Sequence, residues 1–156
     1  MVHPNLLKEL GLTPSCRNIN FFYKVSAPIK VAPSSVCDSF GLFATKSIAK
    51  GSCIGFYAGE LISEEDEKNR DPLVQLKNSS YLFWVKKGPF KIIDALIYGN
   101  KTRFINHMPL SRSNVKVMEY TGDFSKIIFL AKKDILKGQE LFFDYGPQFK
   151  LKWKTE

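Results

Sequence analysis

Arg103-Phe104-Ile105-Asn106-His107 sets a cation, two apolar residues, a carboxamide and an imidazole in consecutive positions. A helix-period core segment does not end in Asn-His, and a surface loop does not carry Phe-Ile in its middle. Asn is depleted from strands and common in turns. Read alone, the stretch is a short buried turn whose Asn and His tie off loose backbone groups. Three other stretches stand with it. Upstream are Ser39-Phe40-Gly41-Leu42-Phe43-Ala44 and Tyr57-Ala58-Gly59-Glu60, and downstream is Glu140-Leu141-Phe142-Phe143-Asp144-Tyr145-Gly146.

The chain around them has 156 residues, 44% of them hydrophobic, which reads as one globular domain. A chain of that length buries about 68–70% of its unfolded surface and folds without staples. Thirteen Phe and six Tyr supply core and pocket material. The three cysteines, Cys16, Cys37 and Cys53, are odd in number and form no C-x-x-C. That argues against a disulfide framework and a cysteine zinc cluster, so buried or free thiols in a reducing compartment and no metal are expected. No apolar run reaches the length of a membrane span, and Met1 to Leu12 lacks the pattern of a secretory signal. That segment reads as a short amphipathic helix with Leu6, Leu7 and Leu10 on one side. The formal charge of +8 fits an acidic partner, such as a nucleic-acid backbone, or simply a lysine-rich solvated surface. Acids are concentrated in one segment, at Glu60, Glu64, Glu65, Asp66, Glu67 and Asp71.

Taken in order, Ile19 to Tyr23 and Ile29 to Ala32 read as short strands broken by Pro28 and Pro33. Gly41 permits a close approach that a side chain would block, and an apolar strand follows it. Ile48-Ala49-Lys50-Gly51 leads into the strand Cys53 to Tyr57, and the similar Ile135-Leu136-Lys137-Gly138 leads into Leu141-Phe142-Phe143. Ser63 is an N-cap for a helix with acids in its first turn, which Asp71-Pro72 ends or kinks. That helix is either a solvated face or a surface receiving a basic peptide. Tyr81 to Val85 and Phe90 to Ile93 form a hairpin around Lys87-Gly88-Pro89. A second hairpin joins Ser113–Tyr120 to Lys126–Lys132. Many short strands bounded by Gly or Pro give a β-rich domain with little helix.

The four quoted stretches, in this order and spacing, resemble the SET-domain protein-lysine methyltransferases. The chain looks like a small member without the cysteine-rich zinc clusters that often flank the domain. The resemblance runs from about Ile29 to Phe149. It implies a mostly β fold with short helices, in which small twisted sheets surround a pseudoknot threading the Asn-His segment with the Asp-Tyr segment. The implied division is an N-terminal flanking segment 1–28, a SET catalytic domain 29–149 and a C-terminal flanking segment 150–156. Three positions depart from the family pattern. Ser39 replaces the first glycine of a Gly-x-Gly, Met108 stands where Ser often follows Asn-His, and Pro109 to Arg112 lengthens the next loop.

The implied reaction is S-adenosylmethionine-dependent methylation of a lysine, in a histone tail or another protein. The amine must arrive neutral although its free pKa is near 10.4, so an aromatic, poorly hydrated channel is expected to disfavour the ammonium form. Both reactants begin cationic. The site is therefore expected to offer tyrosine hydroxyls and backbone carbonyls and to keep Lys and Arg away, with catalysis coming from alignment and electrostatic fit. By resemblance Tyr145 and Tyr81 are the catalytic tyrosines. Ser39, Phe40, Gly41, Tyr81, Asn106, His107 and Tyr145 hold the cofactor, and Phe143 and Tyr81 line the substrate channel. Trp153 closes the cofactor pocket where zinc-binding members use a metal cluster. Arg103 and Phe104 support their turn, Arg103 by capping carbonyls or pairing with an acid, and Asp94 and Asn100 brace the site. Phe at position 143 implies a product beyond monomethyl-lysine. The resemblance also implies a chromatin regulator inside the cell, in the nucleus or in a host nucleus for a viral or bacterial protein. Its basic surface would touch nucleosomal DNA, and no membrane is involved. A catalytically inactive SET-type module that binds chromatin or peptide is the alternative. A basic nucleic-acid module would want aromatics interleaved with Lys or Arg, whereas here they sit in apolar runs.

Overall fold

The computed structural model describes residues 27–69, 81–85, 92–121 and 125–146. Ten short strands, one single-turn helix and one 3-10 turn make up these segments, in the β-rich arrangement expected. The strands form four small sheets. Strand β1 (Ile29–Pro33) pairs antiparallel with β2 (Phe40–Ala44). A second sheet has β9 (Ser125–Ala131) between β3 (Cys53–Phe56) and β8 (Val115–Thr121). In a third, β6 (Ile92–Asp94) lies between β4 (Glu60–Ile62) and β5 (Leu82–Trp84). The last pairs β7 (Asn106–His107) parallel with β10 (Phe142–Phe143).

Period-two burial sets the inward faces. Ile127, Phe129 and Ala131 are buried on β9, while Ile128 and Leu130 between them are only half-buried. Phe129 has no exposed surface, and its ring meets those of Tyr57, Phe83 and Phe143. Burying a side chain of this kind stabilises by about 1.5–3 kcal/mol. Leu42, Ile54, Ile105, Ile135 and Leu141 complete the centre of the same core.

The parallel pairing of β7 and β10 organises the molecule. Two parallel strands need a long crossover, supplied here by the chain that carries β8 and β9. The returning segment is stitched on both sides. Ala44 N donates to Gln139 O (3.0 Å) and Leu141 N to Leu42 O (2.7 Å) on the β2 side. Towards β7, Met108 N donates to Phe143 O (3.1 Å) and Asn114 N to Phe142 O (3.2 Å). The buried Asn114 side chain acts as one more strand neighbour: Nδ2 donates to Glu140 O and Oδ1 accepts from Phe142 N, both at 2.8 Å. Bonds on both sides thus hold the Asp-Tyr segment against the Asn-His segment.

The two similar turns prove to be partners. Ile48 N donates to Ile135 O (2.8 Å) and Ile135 N to Ile48 O (2.9 Å), so the turns close on one another across the core. Helix α1 (Glu64–Lys68) has the expected Ser63 N-cap, with Asp66 completing a capping box. It closes at an Asn69 cap with none of its residues buried, and Asp71-Pro72, read as its end or kink, lies outside the described residues. The N-terminal helix, the strand Ile19 to Tyr23, the turns at Lys87-Gly88-Pro89 and Gly122-Asp123, Cys16 and Trp153 lie outside the described residues. Cys37 and Cys53 are free thiols. No helix among the described residues is long and apolar enough to cross a membrane.

Candidate active site

The turn that opens the site is anchored from below. Asn100 caps the 3-10 turn Lys101–Phe104 by accepting from Thr102 N (3.0 Å), while its Nδ2 donates to Phe56 O (2.9 Å) at the end of β3. Arg103 donates through Nη1 to Ala95 O (2.9 Å) and Leu96 O (2.7 Å), the carbonyl-capping role expected of it. Its guanidinium also lies over the Tyr81 ring at 5.5 Å and the Phe104 ring at 4.9 Å. The expectation that no Lys or Arg stands near the site therefore needs correction. A cation is tolerated here because two carbonyls and two ring faces hold it. Its Nε, also buried, has no hydrogen-bond partner among the described residues.

Beyond this turn, β7 and β10 bring four of the candidate residues together. Tyr145 donates its hydroxyl to Ile105 O (2.8 Å) and its backbone N–H to His107 Nδ1 (3.2 Å). Because Nδ1 accepts, the proton of the neutral imidazole sits on Nε2. Asp144 Oδ1 lies 4.0 Å from the same nitrogen. The rings of His107 and Phe143 flank Tyr145 at 5.3 and 4.5 Å, and Phe143 stacks further on Phe83 at 6.0 Å. Burial pushes the Tyr145 phenol well above its ordinary pKa, and nearby Cys37 and Tyr81 add to the effect. Tyr145 is consequently a phenol at neutral pH. It can orient and polarise, but it does not serve as a base.

Tyr81 comes from another sheet. Its carbonyl accepts from Tyr57 OH (2.6 Å) and Ala95 N (3.1 Å), and its ring sits edge-on to Phe104. The half-buried Tyr81 ring thus has its backbone fixed by the Tyr57-Ala58-Gly59-Glu60 stretch.

A cleft of about 380 Å³ opens along Pro33, Ser34, Cys37, Asp38, Ser39 and Phe40. Ser39 and Phe40 line it, whereas Gly41 is buried and faces the other way. A Cβ at position 41 would lie 2.1 Å from Glu140 Oε1, so the close approach that Gly41 permits is made by a side chain of this chain. Glu140 is the residue that sequence reasoning missed. Its buried carboxylate accepts from Ser34 Oγ (2.8 Å), Ser35 N (2.8 Å), Ser35 Oγ (2.6 Å) and Asn106 Nδ2 (3.2 Å). Burial opposes its ionisation, but those bonds outweigh that and hold the carboxyl below the usual carboxylate range. An acid at the head of an apolar strand was the available signal.

The family model described as "SET domain" matches residues 39–146, from Ser39 just before β2 to the glycine after Tyr145. The chain belongs to the SET-domain family. Its relatives include a histone-lysine N-methyltransferase EZ1 of Zea mays, 37% identical over 137 residues, which are 88% of this chain and 14% of that protein. The histone-lysine N-methyltransferase CLF of Oryza sativa is 35% identical over 137 residues, 88% of this chain and 15% of that protein. The histone-lysine N-methyltransferase EZH2 of Chaetomium thermophilum is 34% identical over 151 residues, 93% of this chain and 10% of that protein. The chain thus spans a small fraction of each relative's length. Among the described residues of this SET domain, no group of three or more His, Cys, Asp or Glu could hold a metal ion.

Proposed function

We propose that this SET domain is a protein-lysine N-methyltransferase that uses S-adenosylmethionine and acts on a histone or another lysine-bearing protein. The observation that carries the reading is Tyr145. Its hydroxyl is protonated, committed to the Ile105 carbonyl and walled by Phe143 and His107 beside Tyr81. When bound, the cofactor supplies a methyl group activated by its sulfonium.

The residues present suit such a group. The cleft along Pro33 to Phe40 falls within the volume range of small-molecule sites. Asn106 spends its Nδ2 on Ser34 Oγ, Phe40 O and Glu140, which leaves Oδ1 as an acceptor for an ammonium group. Phe40 and Phe104 stand edge to face at 6.1 Å beside it. On the substrate side, the rings of Phe143, Tyr145 and Tyr81 disfavour a charged amine. The Arg103 cation behind Tyr81 pushes the same way, towards the neutral nucleophile. Trp153 remains our candidate for the residue that closes the cofactor pocket.

The test is transfer of label from S-adenosylmethionine to a panel of histones and nucleosomes; cofactor and peptide binding without transfer would indicate an inactive binding module instead. His107→Ala removes the Nδ1 acceptor of the Tyr145 N–H and should weaken calorimetric cofactor binding about tenfold, the effect of one lost buried hydrogen bond. Unchanged affinity in a folded variant counts against His107. A histone substrate would place the protein in a nucleus, where its basic surface could lie on nucleosomal DNA.

Phe143 sets our expectation for the product. Its ring is 4.5 Å from that of Tyr145, which lies two residues on, just past the end of β10. A Tyr here would hold a water in the space that a methylated amine needs, and Phe cannot. The native protein should therefore reach di- or trimethyl-lysine, and Phe143→Tyr should shift products towards monomethyl-lysine while turnover persists. Peptide mass spectrometry decides this, and a native enzyme that stops at one methyl refutes it.

A further inference from the structure

Four hydrogen bonds converge on the Glu140 carboxylate from two separate parts of the chain, the Ser34–Ser35 corner and Asn106. Oε1 accepts from Ser34 Oγ and Asn106 Nδ2, and Oε2 accepts from both the backbone and the hydroxyl of Ser35. The side chain is only 6% exposed and occupies the space that a Cβ at position 41 would need. An arrangement this crowded selects the orientation of its neighbours.

We propose that Glu140 is the positioning residue of the methyl-donor site: it dictates which way the Asn106 carboxamide points and holds the Ser34–Ser35 corner against it. The inference rests on the reading of Asn106 as a cofactor residue. A carboxylate has only acceptor atoms, as does the Phe40 carbonyl, and both face Asn106 at 3.2 and 3.0 Å. Only the NH2 of the carboxamide can satisfy them, so Oδ1 must point elsewhere. Turning the amide over would set three acceptor oxygens against one another. Held this way, Asn106 presents an acceptor and not a donor, which suits a positively charged ligand group and rejects an anionic one.

Glu140→Gln keeps the shape and removes one of the two acceptors that select the orientation. Ser35 donates twice to one oxygen, so the Gln carbonyl should take that side and its NH2 should face Asn106. Two amide nitrogens then oppose each other while the Phe40 carbonyl still needs an N–H, so no orientation of the Asn106 carboxamide satisfies both neighbours. The expected result is about a tenfold rise in the dissociation constant and KM for S-adenosylmethionine, the effect of one misplaced buried hydrogen bond. kcat at saturating cofactor should change little, because Glu140 touches neither Tyr145 nor Phe143 through its carboxylate. In the native protein, both Asn106 side-chain amide protons should be protected from exchange with water, and Glu140→Gln should shift both NMR signals. The native protection can be read even if the variant fails to fold. Rapid exchange with water in the native protein would overturn the proposal. So would a variant that melts earlier but binds cofactor as before, since that is a purely structural role. Asn106→Ala separates the two readings. If it weakens binding and Glu140→Gln does not, the positioning role is wrong while the cofactor assignment stands. If neither weakens binding, Asn106 is not a cofactor residue.

Discussion

Tyr145→Phe should slow methyl transfer roughly a hundredfold or more, the scale seen when one preorganised polar group is removed from a reacting centre. The phenol proton is already given to Ile105 O, so the oxygen's remaining lone pairs are what the site can offer to an amine and a migrating methyl. No other described hydroxyl is held between the Phe143 and His107 rings to replace it. The substitution deletes one oxygen and no ring volume. Its structural cost is the orphaned Ile105 carbonyl, about 1–3 kcal/mol. Single-turnover label transfer should therefore collapse in a protein that still unfolds cooperatively. A variant within a few-fold of native rate would remove Tyr145 from the chemistry.

The largest expected loss of stability lies at Gly59. A Cβ there would stand 2.3 Å from Asp94 O, 2.6 Å from Asp94 C and 2.9 Å from Ala95 N. These are backbone atoms, so no side chain can swing away to make room. The same backbone pairs Glu60 with Asp94 between β4 and β6 and carries the Ala95 N–H that supports Tyr81. Gly59→Ala must separate β4 from β6, at a cost of about 3 kcal/mol or more. Against a total stability on the order of 5–15 kcal/mol, that should show as poor soluble yield and a much lower denaturant midpoint. A midpoint close to native would show that the sheet gives way more easily than its geometry implies.

Local patterns made much of this molecule legible. Ser63 with acids after it is a cap in any context, and alternating burial on β9 follows from Ile127, Phe129 and Ala131. Tyr145, Phe143, Asn106 and His107 were named from motif resemblance, and the structure brings them into one place. What stayed hidden depends on partners distant in the chain. Asn114 reads as an ordinary turn residue until Glu140 and Phe142 lie beside it. Gly41 suggested close approach by a ligand, because nothing nearby in sequence identifies Glu140 as the neighbour. For Arg103 the sequence leaves carbonyl capping and pairing with an acid both open, and only the fold brings Ala95 O, Leu96 O and the Tyr81 ring to it.

The parallel seam between Asn106-His107 and Phe142-Phe143 has a consequence for how the protein comes into being. Its hydrogen bonds join residues 36 positions apart, Asn106 to Phe142 and His107 to Phe143, and those on the other side reach back to Leu42 and Ala44. Loop-closure entropy must be met before such distant contacts repay it, so the seam belongs to the slow, late part of assembly. The reacting groups sit on it. A partly folded chain can therefore hold its hairpins and still have nothing for a substrate to meet. Amides of this seam should exchange only through global opening, so that catalytic competence and native cooperativity are lost in a single step.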